Sequence, residues 1–133
     1  MKQALLVGLG GFIGSVCRYK LGGAILHHAA HWRFPLSTFL VNVTGCFVIG
    51  LLAGLVEHRD LFSPEARLFL FTGVLGGFTT FSAFGYEGVF LLRRGELGVS
   101  LAYAGLSVAC GFAAVWFGLF LAGAGAGARP GSA

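Results

Sequence analysis

The strongest constraint on the fold is the stretch at residues 72–90, TGVLGGFTTFSAFGYEGVF. It is apolar enough to cross a membrane, yet Gly76, Gly77, Thr79 and Thr80 lie at its centre. Each glycine weakens a helix by up to about 1 kcal/mol relative to alanine. Non-helical backbone at membrane depth persists only where protein buries it or where it lines a wet cavity. The stretch therefore predicts a broken membrane helix, a feature typical of ion and substrate sites.

Phenylalanines recur at every third position through this break, at Phe78, Phe81 and Phe84. Phe81 and Phe84 are therefore expected to share a face. An aromatic ring is negative on its face and positive at its edge, so ring edges beside a polar path suit an anion. The alternative is that these rings only pack against lipid or a neighbouring helix.

Four apolar segments are long enough to span a bilayer, which takes about 20 mostly apolar residues. They run over about 4–26, 36–56, 67–92 and 97–122. Only 11% of the residues are charged, against roughly 25% in soluble domains. We predict an all-α membrane protein with one four-helix domain over residues 1–122 and a disordered tail over 123–133. The first segment has no polar cleavage region and is expected to be a retained span.

Short connections and small residues indicate how the spans begin and pack. Ser63 is expected to cap the third helix, with Pro64 at its first position, and Trp32 is expected at the membrane interface. Glycines recur at four-residue spacing, which lets helix backbones approach closely. The pairs are Gly10 with Gly14, Gly50 with Gly54, and Gly73 with Gly77.

Positive charge is almost equally divided between the two sides of the membrane. Four spans place both termini on one side, which carries four basic residues: Lys2, Arg59, Arg67 and Arg129. The other side carries five, or four if Arg18 lies inside the membrane: Arg18, Lys20, Arg33, Arg93 and Arg94. An excess of Lys and Arg sets orientation, so this balance predicts insertion both ways and an antiparallel pair. The alternative is that another feature fixes a single orientation. The basic residues form no stripe or patch, which excludes a nucleic-acid-binding protein.

Several polar residues interrupt the apolar segments. Arg18 lies deep in the first span, either snorkelling to the headgroups or placing a cation at the mouth of an anion path. Asn42 needs partners in lipid, from a neighbouring helix or as part of a pore. Asn42, Ser82, Tyr103 and Ser107 are compatible with a track of neutral donors. Such donors bind an anion without a deep charge trap, so ions can leave as well as enter.

Glu87 is the only acid inside an apolar segment. It is compatible with a proton-coupling carboxylate or with a group near water at the end of the third span. The cysteines, which lie inside apolar segments, are expected to be packing residues. The histidines at 27, 28 and 31 include an i, i+4 pair of the kind that binds metal, but no third ligand is evident nearby, so they are expected to belong to an interfacial loop. No nucleophile–base set or metal-hydrolase motif is evident in the sequence, so we predict that the protein is not an enzyme.

The chain resembles the small dual-topology fluoride channels of the Fluc, or CrcB, family. The resemblance covers all four spans and is carried by three motifs. They are GGFIGSVCRY in the first span, NVTGCFVIG in the second and GVLGGFTTFSAFGYE in the third. The last motif is highly specific.

The resemblance implies a passive fluoride channel of the bacterial inner membrane, built as an antiparallel homodimer with two pores. By motif match, Phe81 and Phe84 would be the pore phenylalanines, Asn42 the pore-lining amide and Arg18 the vestibule arginine. Tyr103 and Ser107 would belong to a polar track along the fourth span.

The resemblance also implies a structural sodium ion between the two copies. Gly76 and Thr79 would hold it through their backbone carbonyls. Two opposed copies would supply four such oxygens, which suit a hard cation. The ion would offset the cost of the freed carbonyls and place fixed positive charge between two anion paths.

One departure matters, because many members read TTFSTF where this chain has TTFSAF. Ala83 lacks a hydroxyl, so no role of that threonine carries over. The main alternative function is a small four-span proton-coupled exporter of cationic drugs. Such an exporter needs a membrane carboxylate, and the first span contains none. A purely structural subunit would leave the broken helix and the polar track unexplained.

Overall fold

The computed structural model describes residues 1–125, which form four long helical segments joined by short connections. The first segment is α1 (Lys2–Ala29) and the second is α2 (Leu36–Arg59). The third comprises α3 (Pro64–Arg67), a π-helical segment (Leu68–Leu75), α4 (Gly76–Phe78) and α5 (Phe81–Arg93). The fourth is α6 (Leu97–Ala124).

The four predicted spans are confirmed, and each is slightly longer than the apolar run that indicated it. The spanning helices run over Lys2–Ala29, Leu36–Arg59, Pro64–Arg93 and Leu97–Ala124. All are long and apolar enough to cross a membrane, so the chain is a multi-pass membrane protein. The predicted tail at 123–133 begins on the last two residues of α6, and its residues 126–133 lie outside the described part of the chain.

The third span is interrupted where glycine and threonine predict it. α4 ends at Phe78, and Thr79 and Thr80 are extended, with ψ of 159° and 114°. Helix resumes at Phe81. The sequence did not predict the π-helical stretch that precedes the break. π-Helical turns are rare and recur at functional sites, and this one ends four residues before the extended pair at Thr79 and Thr80.

Close backbone contacts between the helices depend on the predicted glycine pairs. α1 packs against the π-helical segment and α4, where a Cβ on Gly14 would lie 2.0 Å from the Val74 carbonyl oxygen. α2 packs against α6, where a Cβ on Gly50 would lie 2.2 Å from the carbonyl oxygen of Val115. Any larger residue would push these backbones apart, as expected for small-residue packing between membrane helices.

The predicted start of the third span is confirmed. Ser63 Oγ accepts a hydrogen bond from the Ala66 N–H at 3.2 Å, and Pro64 occupies the first helical position. Glu65 in this first turn lies 3.6 Å from Lys2 Nζ, which ties the start of the span to the N-terminus of α1. A negative charge in the first turn also stabilises the helix, because the N-terminal end of the helix dipole is positive.

Candidate functional site

A groove of about 410 Å³ runs along the break in the third span. α2 contributes Asn42, and α6 contributes Ser107. The third span contributes both sides of the break, including Gly76, Thr79, Phe81 and Phe84. Six of the nine predicted site residues therefore line one groove, although they come from three separate helices.

Asn42 holds the extended backbone of the break with both ends of its amide. Its Nδ2 donates to the Thr80 carbonyl at 3.0 Å, and its Oδ1 accepts from the Thr80 N–H at 2.8 Å. The helix break removes the usual partner of the Thr80 N–H, and burying this group unpaired would be costly. The Thr80 carbonyl is at the N-cap of α5, where it accepts the first bond of that helix, and Asn42 gives it a second donor. One Nδ2 hydrogen remains after these two bonds, so Asn42 keeps one donor for the groove.

The carbonyls of Gly76 and Thr79 are deprived of their usual helical partners. The N–H that would bond the Gly76 carbonyl belongs to Thr80, and it donates to Asn42 instead. The N–H that would bond the Thr79 carbonyl belongs to Ala83, and it donates to Thr80 Oγ1 at 3.3 Å. Both residues line the groove, and backbone carbonyls suit a hard cation such as sodium. The donor set therefore fits the predicted ion.

The two predicted phenylalanines are neighbours at the start of α5. Their ring centroids lie 5.6 Å apart, with an angle of 39° between the ring planes. Phe84 also lies 5.1 Å from the Tyr103 ring. Phe81 is 83% exposed in the single chain. Its ring is therefore open to contact with lipid or with another protein chain.

Arg18 lies in the middle of α1, eleven residues before its end. Its Nε donates to the Gly77 carbonyl at 3.1 Å, and Ser15 Oγ approaches the same oxygen at 3.4 Å. Since the break frees this carbonyl, Arg18 stabilises the end of α4. The Arg18 side chain also lines a second cavity, of about 280 Å³, with Thr38 and Ala83. The missing hydroxyl at Ala83 is therefore a change in the lining of the arginine cavity.

Glu87 is fixed by two hydroxyl groups rather than placed freely in water. Its Oε1 accepts from Thr38 Oγ1, and its Oε2 accepts from Tyr103 Oη, each at 2.7 Å. Tyr103 is completely buried. The interpretation of Glu87 as a group near water at the end of the third span is therefore incomplete, because its side chain joins α2, α5 and α6.

The four neutral polar residues predicted as one track fall into separate positions. Asn42 and Ser107 line the groove, and Ser107 Oγ is buried with no hydrogen-bond partner in the described part of the chain. Tyr103 lies behind Phe84 and is bonded to Glu87. Ser82 lies outside the cavities described here, with its Oγ 3.3 Å from Thr80 Oγ1.

Sequence reasoning missed Thr38, which joins the arginine cavity to Glu87. The available signal was weak: Thr38 lies four positions before Asn42, so the two share a face of α2.

Within residues 1–125 no three His, Cys, Asp or Glu side chains cluster to hold a metal. The groove offers neutral donors, aromatic rings and free carbonyls, which suit a permeating ion.

Known proteins are similar to this chain over most of its length. The sequence profile of the family described as "CrcB-like protein, Camphor Resistance (CrcB)" matches residues 5–119. A Methylobacillus flagellatus protein named "Fluoride-specific ion channel FluC" is 51% identical over 121 residues, covering 91% of this chain and 94% of that protein. Proteins of the same name from Rhizobium meliloti and Chlorobium phaeobacteroides are 50% and 47% identical. They are covered over 96% and 95% of their lengths, and cover 91% and 92% of this chain.

Proposed function

The chain belongs to the CrcB family, and from that premise we propose that it is a fluoride-selective channel of the bacterial inner membrane. It lets fluoride leave the cell passively and so confers fluoride resistance. Fluoride enters as the weak acid HF and ionises inside, so a passive anion path is sufficient for export. A channel of this kind performs no bond chemistry, and we propose that the protein is not an enzyme.

The groove at the helix break is the observation that carries this proposal. It brings together one spare amide hydrogen of Asn42, the unbonded hydroxyl of Ser107 and the rings of Phe81 and Phe84. None of these groups carries a full charge. Neutral donors replace part of the hydration of an anion without trapping it, and the positive ring edges add to them.

We further propose that the working unit is an antiparallel homodimer with two pores. Phe81 is largely exposed beside the groove, and a second copy would cover it. The near-equal charge on the two sides of the membrane is compatible with insertion in both orientations. Arg18 lies within a membrane helix, which leaves four basic residues on each side. Lipid would surround the remaining apolar faces.

A sodium ion at the centre of this dimer is also part of the proposal. The freed carbonyls of Gly76 and Thr79 support it, because their usual N–H partners are bonded elsewhere. The ion would supply fixed positive charge, while Asn42 and Arg18 hold the broken backbone that presents the carbonyls. Arg18 would in addition present its guanidinium to the arginine cavity as a vestibule cation.

Efflux from proteoliposomes tests the function directly. Purified protein is reconstituted with internal fluoride or chloride, and potassium efflux is started with an ionophore. A fluoride electrode should record rapid fluoride release that needs no proton gradient. A chloride electrode should record little chloride release from the chloride-loaded vesicles. Chloride release at a similar rate would refute fluoride selectivity. Efflux of a cationic dye driven by a proton gradient, without fluoride release, would favour the exporter instead.

A further inference from the structure

A third cavity, of about 430 Å³, lies at the membrane end opposite the termini. The connection between α1 and α2 contributes Arg33, and the connection between α5 and α6 contributes Arg94 and Glu96. Glu87 lines the same cavity from α5. These are its four charged lining residues, two cations and two acids, so their order from water inward decides how an anion meets them.

This cavity is close to the groove at the helix break. Phe84 lines the groove, its ring is 5.1 Å from Tyr103, and Tyr103 bonds Glu87. Glu87 in turn lines the third cavity. Tyr103 and Glu87 therefore link the lining of the groove to the lining of this cavity, which lies on the same side as the arginine cavity.

The charged groups are ordered with the cations outermost. Arg33 is exposed, and the Arg94 side chain is 63% exposed, whereas that of Glu96 is only 16% exposed. Glu87 is held inside by its two hydroxyl partners. An anion arriving from water therefore meets arginine before it meets either carboxylate.

Arg94 is held in place by two neighbours, and Arg33 has no ion pair within the described chain. Arg94 Nε lies 3.9 Å from Glu96 Oε1, and its guanidinium lies 5.6 Å from the Phe90 ring centroid. Glu96 Oε2 has no hydrogen-bond partner among the described residues. The negative charge of Glu96 thus weakens the positive potential around Arg94, although the two side chains are too far apart for a close hydrogen-bonded pair.

We propose that Arg33 and Arg94 form an anion-collecting mouth for the pore, and that Glu96 limits its strength. This inference rests on the proposed function, because it names residues that supply fluoride to that path. A unit charge about 7 Å from a passing ion changes its local concentration about threefold in water. Such fields raise the entry rate at low ionic strength and are screened by salt.

Four single variants test the proposal in reconstituted protein: Arg33→Gln, Arg94→Gln, Glu96→Gln and the control Arg93→Gln. Arg93 lies next to Arg94 and is exposed, but it does not line the cavity. Each arginine variant removes one positive charge from the same side, so any change in insertion orientation is matched. Acidic residues contribute little to orientation. Gel filtration checks that each variant remains folded and assembled.

Fluoride flux is measured at about 0.01 M and about 1 M ionic strength, where the Debye length is about 30 Å and 3 Å. The second condition uses an impermeant salt. At low ionic strength, Arg33→Gln and Arg94→Gln should each conduct about threefold less than Arg93→Gln, and Glu96→Gln should exceed wild type. All four should converge at high ionic strength.

Equal flux in the three arginine variants at low ionic strength would overturn the proposal. So would a deficit that persists at high ionic strength, because that would be structural, or a Glu96→Gln flux at or below wild type. Absence of fluoride flux in the wild-type protein would instead refute the proposed function, so the two failures are distinguishable.

Discussion

Replacing Asn42 with alanine should destabilise the break in the third span and reduce fluoride flux together. The substitution removes both amide contacts to Thr80, at 2.8 and 3.0 Å. A buried polar group left unpaired costs about 1–3 kcal/mol. The Thr80 N–H is left unpaired in this way, whereas the Thr80 carbonyl remains the N-cap acceptor of α5 and loses only a second hydrogen bond, worth about 0.5–1.5 kcal/mol. Thr80 is only half-buried and lines two cavities, so water can replace part of each bond, and we expect a total of about 1–3 kcal/mol.

The assay combines thermal unfolding in detergent with fluoride efflux from proteoliposomes. Asn42→Ala should lower the apparent melting temperature by several degrees and reduce efflux severely. Asn42→Asp separates the two roles of the amide, because it keeps an acceptor for the Thr80 N–H but loses the donor to the Thr80 carbonyl. It also adds negative charge to the groove. Asn42→Asp should therefore lower the melting temperature less than Asn42→Ala does, while still reducing fluoride efflux severely.

Ser82→Ala is the matched control for this experiment. Ser82 also contacts Thr80, but only through its exposed hydroxyl, 3.3 Å from Thr80 Oγ1. Its loss should change stability by less than about 0.5 kcal/mol, as for most surface substitutions. The reasoning is wrong if Asn42→Ala melts and conducts like the wild type, because the extended backbone would then need no side-chain support.

Four further predictions follow from the groove and its surroundings. Phe81→Ile and Phe84→Ile should each cut fluoride efflux at least tenfold, equivalent to about 1.4 kcal/mol on the barrier, in protein that still elutes as a dimer. The control Phe112→Ile, at an exposed ring of α6 outside the groove, should conduct normally. Normal flux in both groove variants would mean that Phe81 and Phe84 only pack and do not contact the ion. Tyr103→Phe removes one of the two hydrogen-bond donors to Glu87. Since hydrogen bonds to charged groups contribute about 1.5–3 kcal/mol, the variant should have a lower melting temperature and a lower fluoride flux. An unchanged melting temperature and an unchanged flux would contradict a role of Tyr103 in holding Glu87. A C-terminal tag tested for access from each side of the membrane should label two populations, and a single population would count against the antiparallel dimer. Prolonged replacement of sodium by a large organic cation should weaken the dimer or the flux, and full retention of both after verified removal would exclude a required central cation.

The sequence predicted the spans and the position of the break because those features are local. Apolar runs of sufficient length define the four helices, and Ser63 with Pro64 defines where the third begins. Two glycines and two threonines weaken one helix at its centre, and the extended residues Thr79 and Thr80 lie at that point. Each of these inferences needs only neighbouring residues.

The partners of the polar residues were not predictable in the same way. In a soluble helix the apolar stripe reveals the face that packs inward, but in a membrane both lipid and protein are apolar. The rotation of each helix is then set by contacts between distant residues. Glu87 therefore finds Thr38, 49 positions away, and Tyr103, 16 positions away. Arg18 similarly reaches the Gly77 carbonyl across 59 positions.

An interior carboxylate is compatible with an anion path because of where this one is held. Both oxygens of Glu87 already accept hydroxyl hydrogens, which lowers the cost of keeping the group away from bulk water. Arginines line two cavities near the groove, Arg18 in one, and Arg33 and Arg94 in the other together with Glu87 and Glu96. The groove itself has no formally charged side chain in its lining. Arginines outside the groove raise the local concentration of anions, while neutral donors inside it bind an ion weakly enough for it to leave. Rapid passage requires both conditions, so the placement of charge matters more here than its total.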